Sequence, residues 1–241
     1  MTEKTETLPR LYTAAPLAAG QPVALETAQA HYLRTVLRRQ AGDSVRLFNG
    51  RHGEWRAAIE RLDKKGGLLA PQEQLKPQPE AAATVHLLFA PLKKNRMDII
   101  IEKATELGVS DFHPVITNRT EVRSLNMERL QAQIIEAAEQ SERLTLPALH
   151  PPQPLTGKIA AWQGPVPILW ARERGAARHL ADIRQENWAF LIGPVGGFDP
   201  QEDDSLSRDT RILPVSLGAA ILRAETASIL CLAHARLCAK I

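Results

Sequence analysis

The 241-residue sequence has little cysteine and no long apolar run. Its two cysteines, Cys231 and Cys238, lie seven residues apart in a helical pattern, and with no further cysteine nearby a zinc site is not expected. No apolar stretch reaches the length that a bilayer-spanning helix needs, and the N-terminus, Met-Thr-Glu-Lys-Thr-Glu-Thr, has no apolar signal region. The sequence therefore predicts a cytoplasmic protein that binds neither a membrane nor a metal.

Positive charge is concentrated in the first third of the chain. Hydrophobic residues make up 44% and charged residues 24%, which is enough for a buried core, and the formal net charge is only +3. Residues 10–77 nevertheless carry 11 basic and 6 acidic residues, whereas residues 78–241 carry 18 and 19. This imbalance indicates that one part of the protein holds a polyanion. A bias toward arginine, which supplies 21 of the 30 basic residues, explains it equally well.

The basic segment has the pattern of a small β-rich module. We expect a helix over 30–39 and strands over 44–48 and 54–62, joined by an Asn49-Gly50 turn. Polar residues and prolines over 72–83 predict a linker.

The remainder alternates between strand and helix patterns. The predicted strands cover 85–90, 112–116, 166–170, 188–192 and 211–215, and the predicted helices cover 95–107, 127–143, 176–184, 200–206 and 222–240. This alternation is typical of an α/β domain with a parallel sheet covered by helices on both faces.

Two glycine-containing loops follow predicted strands. The first, Ile192-Gly-Pro-Val-Gly-Gly-Phe198, matches neither the Rossmann nor the P-loop pattern, and it fits either a ligand-binding loop or a tight turn. The second, over 215–223, leads into the last helix. Arg223 lies at the helix start, where the dipole disfavours a cation, so it faces either an anionic ligand or a salt-bridge partner.

Together, the two loops resemble the C-terminal motif of the SPOUT methyltransferases. More narrowly, the chain is similar to bacterial 16S ribosomal RNA uridine-N3 methyltransferases. Four further stretches match that family in its order: 31–38 with Gly42-Asp43, 103–109, Pro114-Val115 leading to Arg119, and 136–141 with Arg143.

The resemblance implies two domains and a methyl-donor cofactor. Residues 1–77 would form a PUA-like β-barrel that binds RNA, and residues 78–241 a SPOUT α/β domain with a C-terminal trefoil knot. S-adenosylmethionine would lie in the knot. The implied cofactor-binding residues are Leu169, Ala171, Ile192, Gly193, Gly196, Gly197, Val215, Leu217, Gly218, Ile221, Leu222 and Thr226. The family also implies a homodimer joined by the last helix, whose apolar residues Ile229, Leu230, Ala233 and Leu237 would equally suit a monomer core.

The same resemblance implies catalytic roles for two residues and an RNA partner. Arg223 would stabilise a developing enolate oxygen of uridine, and Glu225 would act as a base or hold Arg223, although both could be structural. The partner would be 16S ribosomal RNA or the small ribosomal subunit. The candidate RNA-binding residues are Arg10, Arg34, Arg38, Arg39, Lys93, Lys94, Arg119, Arg123 and Arg143.

The sequence departs from the family in both loops. Val195 stands where the family usually has Glu, and Ala219 and Ala220 stand where it has Pro and Arg. These departures motivate an alternative, a catalytically weakened RNA-binding scaffold. A methyltransferase that acts on another RNA, such as transfer RNA, is a third interpretation.

Overall fold

The computed structural model describes residues 5–80, 83–164 and 166–238, and the internal contacts divide the chain into two compact units. The first comprises residues 1–80 and 138–146, and the second comprises 81–137 and 147–241. No helix in the described ranges is long and apolar enough to cross a membrane.

The first unit is built on a five-stranded sheet. Its elements are β1 (Arg10–Tyr12), β2 (Val23–Leu25), α1 (Thr27–His31), β3 (Ser44–Phe48), β4 (Glu54–Leu62) and β5 (Gly67–Lys76). The strand order is β1-β3-β4-β5-β2, with β1 parallel to β3 and the other pairs antiparallel. Leu33, Val45, Ile59 and Leu69 are among the apolar side chains that form its core.

The predicted strands over 44–48 and 54–62 are confirmed, but the predicted bounds of the helix and of the linker are wrong. The helix begins at Thr27 and ends in a wider π turn at Tyr32–Val36, where the Leu37 N–H donates to the Tyr32 carbonyl at 3.0 Å. The linker does not begin at residue 72, because β5 continues to Lys76 in register with β4. Residues 81 and 82 of the predicted linker lie outside the described residues.

The second unit is an α/β structure. Its elements are β6 (Val85–Phe89), α2 (Lys94–Glu106), β7 (Asp111–Ile116), α3 (Met127–Gln140), β8 (Ala148–Leu149), β9 (Gln153–Pro154), α4 (Leu155–Ala160), β10 (Ile168–Ala171), β11 (Arg178–His179), β12 (Trp188–Ile192), α5 (Pro200–Arg208), β13 (Ile212–Ser216) and α6 (Ala224–Cys238). The last three residues of α3 belong to the first unit.

The predicted parallel sheet is confirmed. Its order is β11-β13-β10-β12-β6-β7-β8, with β9 also paired to β7, and every pair is parallel. All five residues of β12 are buried, as expected for a strand covered on both faces. Because the strands are parallel, the chain leaves β10, β12 and β13 at the same edge of the sheet.

One predicted helix of this unit is wrong. Residues 176–184 form the short strand β11 and a single 3-10 turn over Leu180–Asp182. Helix α6 begins at Ala224 rather than at 222, and the predicted residues 239 and 240 lie outside the described residues. The trefoil knot stays a prediction.

Candidate functional site

A cavity of about 610 Å³ lies at the carboxyl ends of β10, β12 and β13. The loops that follow these three strands line it, together with the start of α6. Ten of the predicted site residues meet there: Ala171, Ile192, Gly193, Gly196, Gly197, Leu217, Gly218, Ile221, Leu222 and Arg223. The structure therefore brings both glycine loops to one concave surface, at the edge of a parallel sheet where ligands commonly bind.

The loop backbones need glycine at particular positions. Gly197 has φ +72° and Gly218 has φ +118°, in the region that residues with a side chain rarely adopt. The Gly197 N–H donates to the Pro194 carbonyl at 3.0 Å and closes the turn of the first loop. A Cβ at either glycine would meet no atom within 4 Å, so backbone conformation rather than crowding requires glycine there.

Four of the fourteen residues predicted to be catalytic or cofactor-binding do not line the cavity. Leu169 and Val215 are buried strand residues that border a separate cleft of about 360 Å³. Thr226 is exposed, and Glu225 is buried at the start of α6. These residues are sequence neighbours of lining residues, but their side chains do not line the cavity. The periodicity of strands and helices places neighbouring side chains on different faces.

The two predicted catalytic residues have different surroundings. Arg223 is exposed on the cavity wall, and among the described residues its guanidinium has no hydrogen-bond or ion-pair partner. The salt-bridge alternative for Arg223 therefore finds no support in the described part of the chain. Glu225 instead faces Arg96 of α2, with Oε1 3.7 Å from Nε, and its buried Oε2 has no hydrogen-bond partner in the described structure.

Sequence reasoning missed several residues of the cavity wall. They are Arg96, Arg172, Glu173, Arg174, Phe198, Asp203, Ala224 and Ala227, whereas Trp170, Pro194, Val195 and Ala220 lie within the loops that were expected to line the pocket. Most continue the loops already singled out, so extending each loop by a few residues would have found them. Arg96 comes from α2, which is distant in sequence from these loops, and no local pattern indicated it. Asp203 lies in α5, which directly follows the first glycine loop.

An ion pair stiffens one side of the cavity. Arg172 Nη2 lies 2.6 Å from Asp203 Oδ2, and the guanidinium stacks 4.8 Å above the Trp170 ring. Phe198 packs edge-on against Trp170 at 5.7 Å between ring centroids. Val195 and Ala220, the departures from the family pattern, both lie on the wall, so these substitutions change the cavity itself.

A smaller cleft of about 200 Å³ adjoins the cavity and shares Arg96, Pro194 and Val195 with it. Two predicted RNA-binding residues, Lys93 and Arg119, line this cleft. Lys93 Nζ lies 2.8 Å from Glu121 Oε2, and this contact lowers the pKa of Glu121. Arg119 Nη1 donates to the Gly196 carbonyl at 2.7 Å and so holds the first glycine loop.

The other predicted RNA-binding residues are scattered. Lys94 and Arg123 are exposed but line neither opening, and Arg123 Nη2 donates to the Asn118 carbonyl at 3.4 Å. In the first unit Arg34 and Arg38 are exposed. They do not share a helical face, because Arg38 lies beyond the helix with φ 53°. Arg39 is half-buried.

Arg10 is buried, contrary to its predicted role in RNA binding. Its Nε lies 2.5 Å from Glu54 Oε1, and the two side chains are 4% and 1% exposed. Nη1 and Nη2 donate to the carbonyls of Ala138 and Arg143, each at 2.7 Å. Burial lowers the pKa of Arg10. Arg10 thus joins parts of the first unit and is closed to RNA, and the half-buried Arg143 is its backbone acceptor.

Comparison with known proteins identifies relatives of the whole chain. Residues 79–236 match the RNA methyltransferase domain family, and residues 25–71 match the RNA methyltransferase PUA domain family. Ribosomal RNA small subunit methyltransferase E of Rickettsia conorii is 35% identical over 234 residues, 95% of each chain. The protein of that name from Synechocystis is 37% identical over 233 residues, 93% of this chain and 76% of that one. The crystal structure of ribosomal RNA small subunit methyltransferase E from Neisseria gonorrhoeae bound to S-adenosyl methionine superposes with a TM-score of 0.84 at 29% identity, covering 95% of this chain and 97% of that one.

Proposed function

The chain belongs to the ribosomal RNA small subunit methyltransferase E family, and we propose that it transfers the methyl group of S-adenosylmethionine to N3 of a uridine in 16S ribosomal RNA. The observation that carries this proposal is the cavity at the carboxyl ends of β10, β12 and β13, which gathers both glycine loops and Arg223. A relative of the same family holds S-adenosyl methionine in its crystal structure.

The wall residues suit this cofactor. A volume of about 610 Å³ falls within the range of small-molecule sites. The glycine loops leave backbone groups open to an adenine, and Ile192, Leu217 and Leu222 supply apolar contact. S-adenosylmethionine, when bound, supplies an electrophilic methyl group on its sulfonium sulfur.

The protein's own part is to position the base and to stabilise its charge. Transfer would form the bond from the methyl carbon to uridine N3 as the carbon–sulfur bond breaks; S-adenosylhomocysteine would leave, and the N3 proton would pass to water. Arg223, exposed and unpaired among the described residues, would stabilise the negative charge on the uracil oxygen. Glu225 would hold Arg96 at the cavity wall, since its carboxylate faces Arg96.

The smaller cleft supports a route for RNA toward the methyl donor. Lys93 and Arg119 line it, and Arg96 is common to cleft and cavity. Because N3 lies on the pairing edge of uracil, the target nucleotide must be unpaired or extruded before it enters. We propose residues 1–77 as the RNA-holding domain, with Arg34, Arg38 and Arg39 in contact with phosphates, and residues 78–241 as the knotted catalytic domain.

We also propose a homodimer in the cytoplasm, where the ribosomal substrate is found. Leu237 of α6 is 87% exposed and Leu230 is exposed as well, so the apolar stripe of the last helix is not consumed by the described core. A second copy of the chain would cover these side chains.

The test is Arg223→Ala, assayed on 16S ribosomal RNA with mass mapping of methylated uridines. We expect transfer to be lost while S-adenosylmethionine binding, measured by calorimetry, remains. Arg208→Ala is the matched control, because Arg208 is an exposed arginine of the same unit that pairs with Asp204 outside the cavity. Unchanged turnover in Arg223→Ala would remove Arg223 from the mechanism.

Val195 and Ala220 on the cavity wall favour the scaffold as the second candidate function. Titration of the wild-type protein with S-adenosylmethionine and S-adenosylhomocysteine separates the two candidates, since a scaffold without cofactor chemistry would bind neither. If the protein methylates transfer RNA instead of 16S ribosomal RNA, it is still a methyltransferase but has a different substrate.

A further inference from the structure

A cluster of histidines lies at the amino ends of β6 and β7, at the end of the sheet opposite to the cavity. His86 is the second residue of β6, Asp111 is the first of β7, and the two are paired in the parallel register. His113 follows two residues after Asp111. His150 comes just after β8, and its N–H donates to the Phe112 carbonyl at 3.0 Å. The sheet therefore brings together side chains from three separate segments.

Three ligand-type atoms converge in this cluster. His86 Nδ1 lies 3.2 Å from His113 Nε2 and 3.3 Å from Asp111 Oδ2, and the three residues each place one ligand atom within 4.8 Å of the others. Two ligand atoms at 2.0–2.1 Å from a tetrahedral zinc ion are about 3.3 Å apart. The two shorter separations in the cluster thus equal the edge of a zinc coordination tetrahedron.

A single proton on His86 Nδ1 cannot serve both of its contacts fully. If His86 Nδ1 carries a proton, the His113 nitrogen and the Asp111 carboxylate compete for it. If His113 Nε2 carries the proton instead, the bare Nδ1 of His86 lies 3.3 Å from the carboxylate. A divalent cation among the three atoms would meet a lone pair from each.

The surroundings favour a metal ligand set over a loose surface group. His113 is 5% exposed, and Trp162 packs edge-on against His86 and His113 with centroids at 5.3 and 5.9 Å. Burial favours neutral imidazole, the form that binds metals. The positive charge of Lys158 helps to lower the pKa of both His86 and His113, and the carboxylate of Asp111 offsets that positive charge.

A partner also orients the carboxylate. His150 Nε2 lies 2.8 Å from Asp111 Oδ1, which leaves Oδ2 directed at His86. Such a second contact fixes the orientation of a metal ligand. Asp111 and His86 keep side-chain exposures of 23% and 16%, so water can reach the site and fill a fourth position.

We propose that His86, Asp111 and His113 bind a zinc ion, with His150 as the positioning residue for Asp111. The ion would tie the amino ends of β6 and β7 together, away from the cavity. The proposal does not depend on methyl transfer. The sequence indicated no metal, because the two ligand histidines lie 27 residues apart and form no recognisable spacing.

The test uses the full-length protein, stripped with EDTA and titrated with Zn²⁺ by calorimetry. We expect one equivalent to bind to the wild type and none to bind at this site in His86→Ala or Asp111→Asn. His150→Ala should weaken binding by about 10- to 100-fold, as is usual when a second contact is lost. Co²⁺ should give the intense visible absorption of a tetrahedral site, which His86→Ala should abolish.

His234→Gln is the matched control, because His234 Nε2 contacts the Cys238 sulfur at 3.5 Å and forms the obvious competing site. We expect no change in that variant. Circular dichroism establishes that each variant is folded, and the two ligand variants guard against misfolding of either. Absence of Zn²⁺ binding to the wild type overturns the proposal. Undiminished binding in both ligand variants, or loss of binding in His234→Gln, overturns it as well.

Discussion

Replacing Arg10 by Met separates a structural arginine from an RNA-binding one. The substitution keeps an apolar stem beside Phe48, whose ring centre lies 3.7 Å from the guanidinium carbon, and removes the charge. Glu54 then loses its hydrogen-bonded partner at 2.5 Å while its side chain stays 1% exposed. Breaking one side of a buried ion pair costs about 3–5 kcal/mol.

The size of the stability loss within this range of about 3–5 kcal/mol depends on the cations that remain near Glu54. Arg46 Nη1 lies 3.7 Å and Lys76 Nζ lies 3.6 Å from Glu54 Oε2, so the carboxylate keeps some compensation. The carbonyls of Ala138 and Arg143 lose their donors, at about 1 kcal/mol each. The compensation and the two lost donors act in opposite directions, so we expect Arg10→Met to lower the free energy of unfolding by about 3–5 kcal/mol.

Urea denaturation followed by circular dichroism measures this loss, and S-adenosylmethionine binding checks the second unit. Arg34→Met is the control, because Arg34 is exposed. It should change stability by less than about 0.5 kcal/mol and reduce the salt dependence of RNA binding by about one charge. A stability loss below about 1 kcal/mol in Arg10→Met, together with an RNA-affinity loss like that of Arg34→Met, would refute the structural assignment of Arg10.

Three further predictions concern the second unit. Gly218→Ala should lower the free energy of unfolding by about 1–2 kcal/mol and weaken S-adenosylmethionine binding, because φ +118° strains a residue with a side chain. The control Gly157→Ala adds a Cβ in open space at a position without a positive φ and should have neither effect. Equal effects of the two variants in calorimetry would contradict this prediction. Leu237→Asp should shift the protein from dimer to monomer in light scattering, since an exposed apolar side chain of α6 would be charged at the proposed interface; an unchanged mass would remove α6 from that interface. Burial lowers the pKa of His113 to about 2, below its value in the unfolded chain, so in EDTA the folded protein should lose stability as the pH falls below about 6.5. His113→Leu should therefore remove up to about 2 kcal/mol of the difference in unfolding free energy between pH 7 and pH 5. Parallel pH profiles for the variant and the wild type would contradict the lowered pKa.

Among the described residues, local patterns predicted two of the five strands of the first unit and five of the eight strands of the second. The strands over 44–48, 54–62 and 188–192 occur at the predicted bounds, because alternating or continuous apolar residues between turn signals specify them within a few residues. The helix over 176–184 is wrong, since Arg178 and His179 pair with β13. This pairing depends on a strand more than thirty residues away and overrides local helix propensity.

The candidate site was predictable where it followed the chain. Both glycine loops were found because each follows a strand, and parallel strands deliver such loops to one edge. Arg96 was missed because it reaches the cavity from α2, which is distant in sequence from the loops, so that only helix packing places it there. Asp203 follows the first glycine loop closely, but whether its side chain reaches the cavity depends on which face α5 turns inward.

The sequence by itself determined the α/β class of the second unit, the two glycine loops and the family resemblance, because each depends on neighbouring residues or on motifs in order. Only the tertiary structure decided that Arg10 is buried against Glu54, that Glu225 faces Arg96, and that His86, Asp111 and His113 converge. A side chain's charge and shape belong to the sequence, but its partner and its exposure to water depend on which distant segments the fold brings beside it.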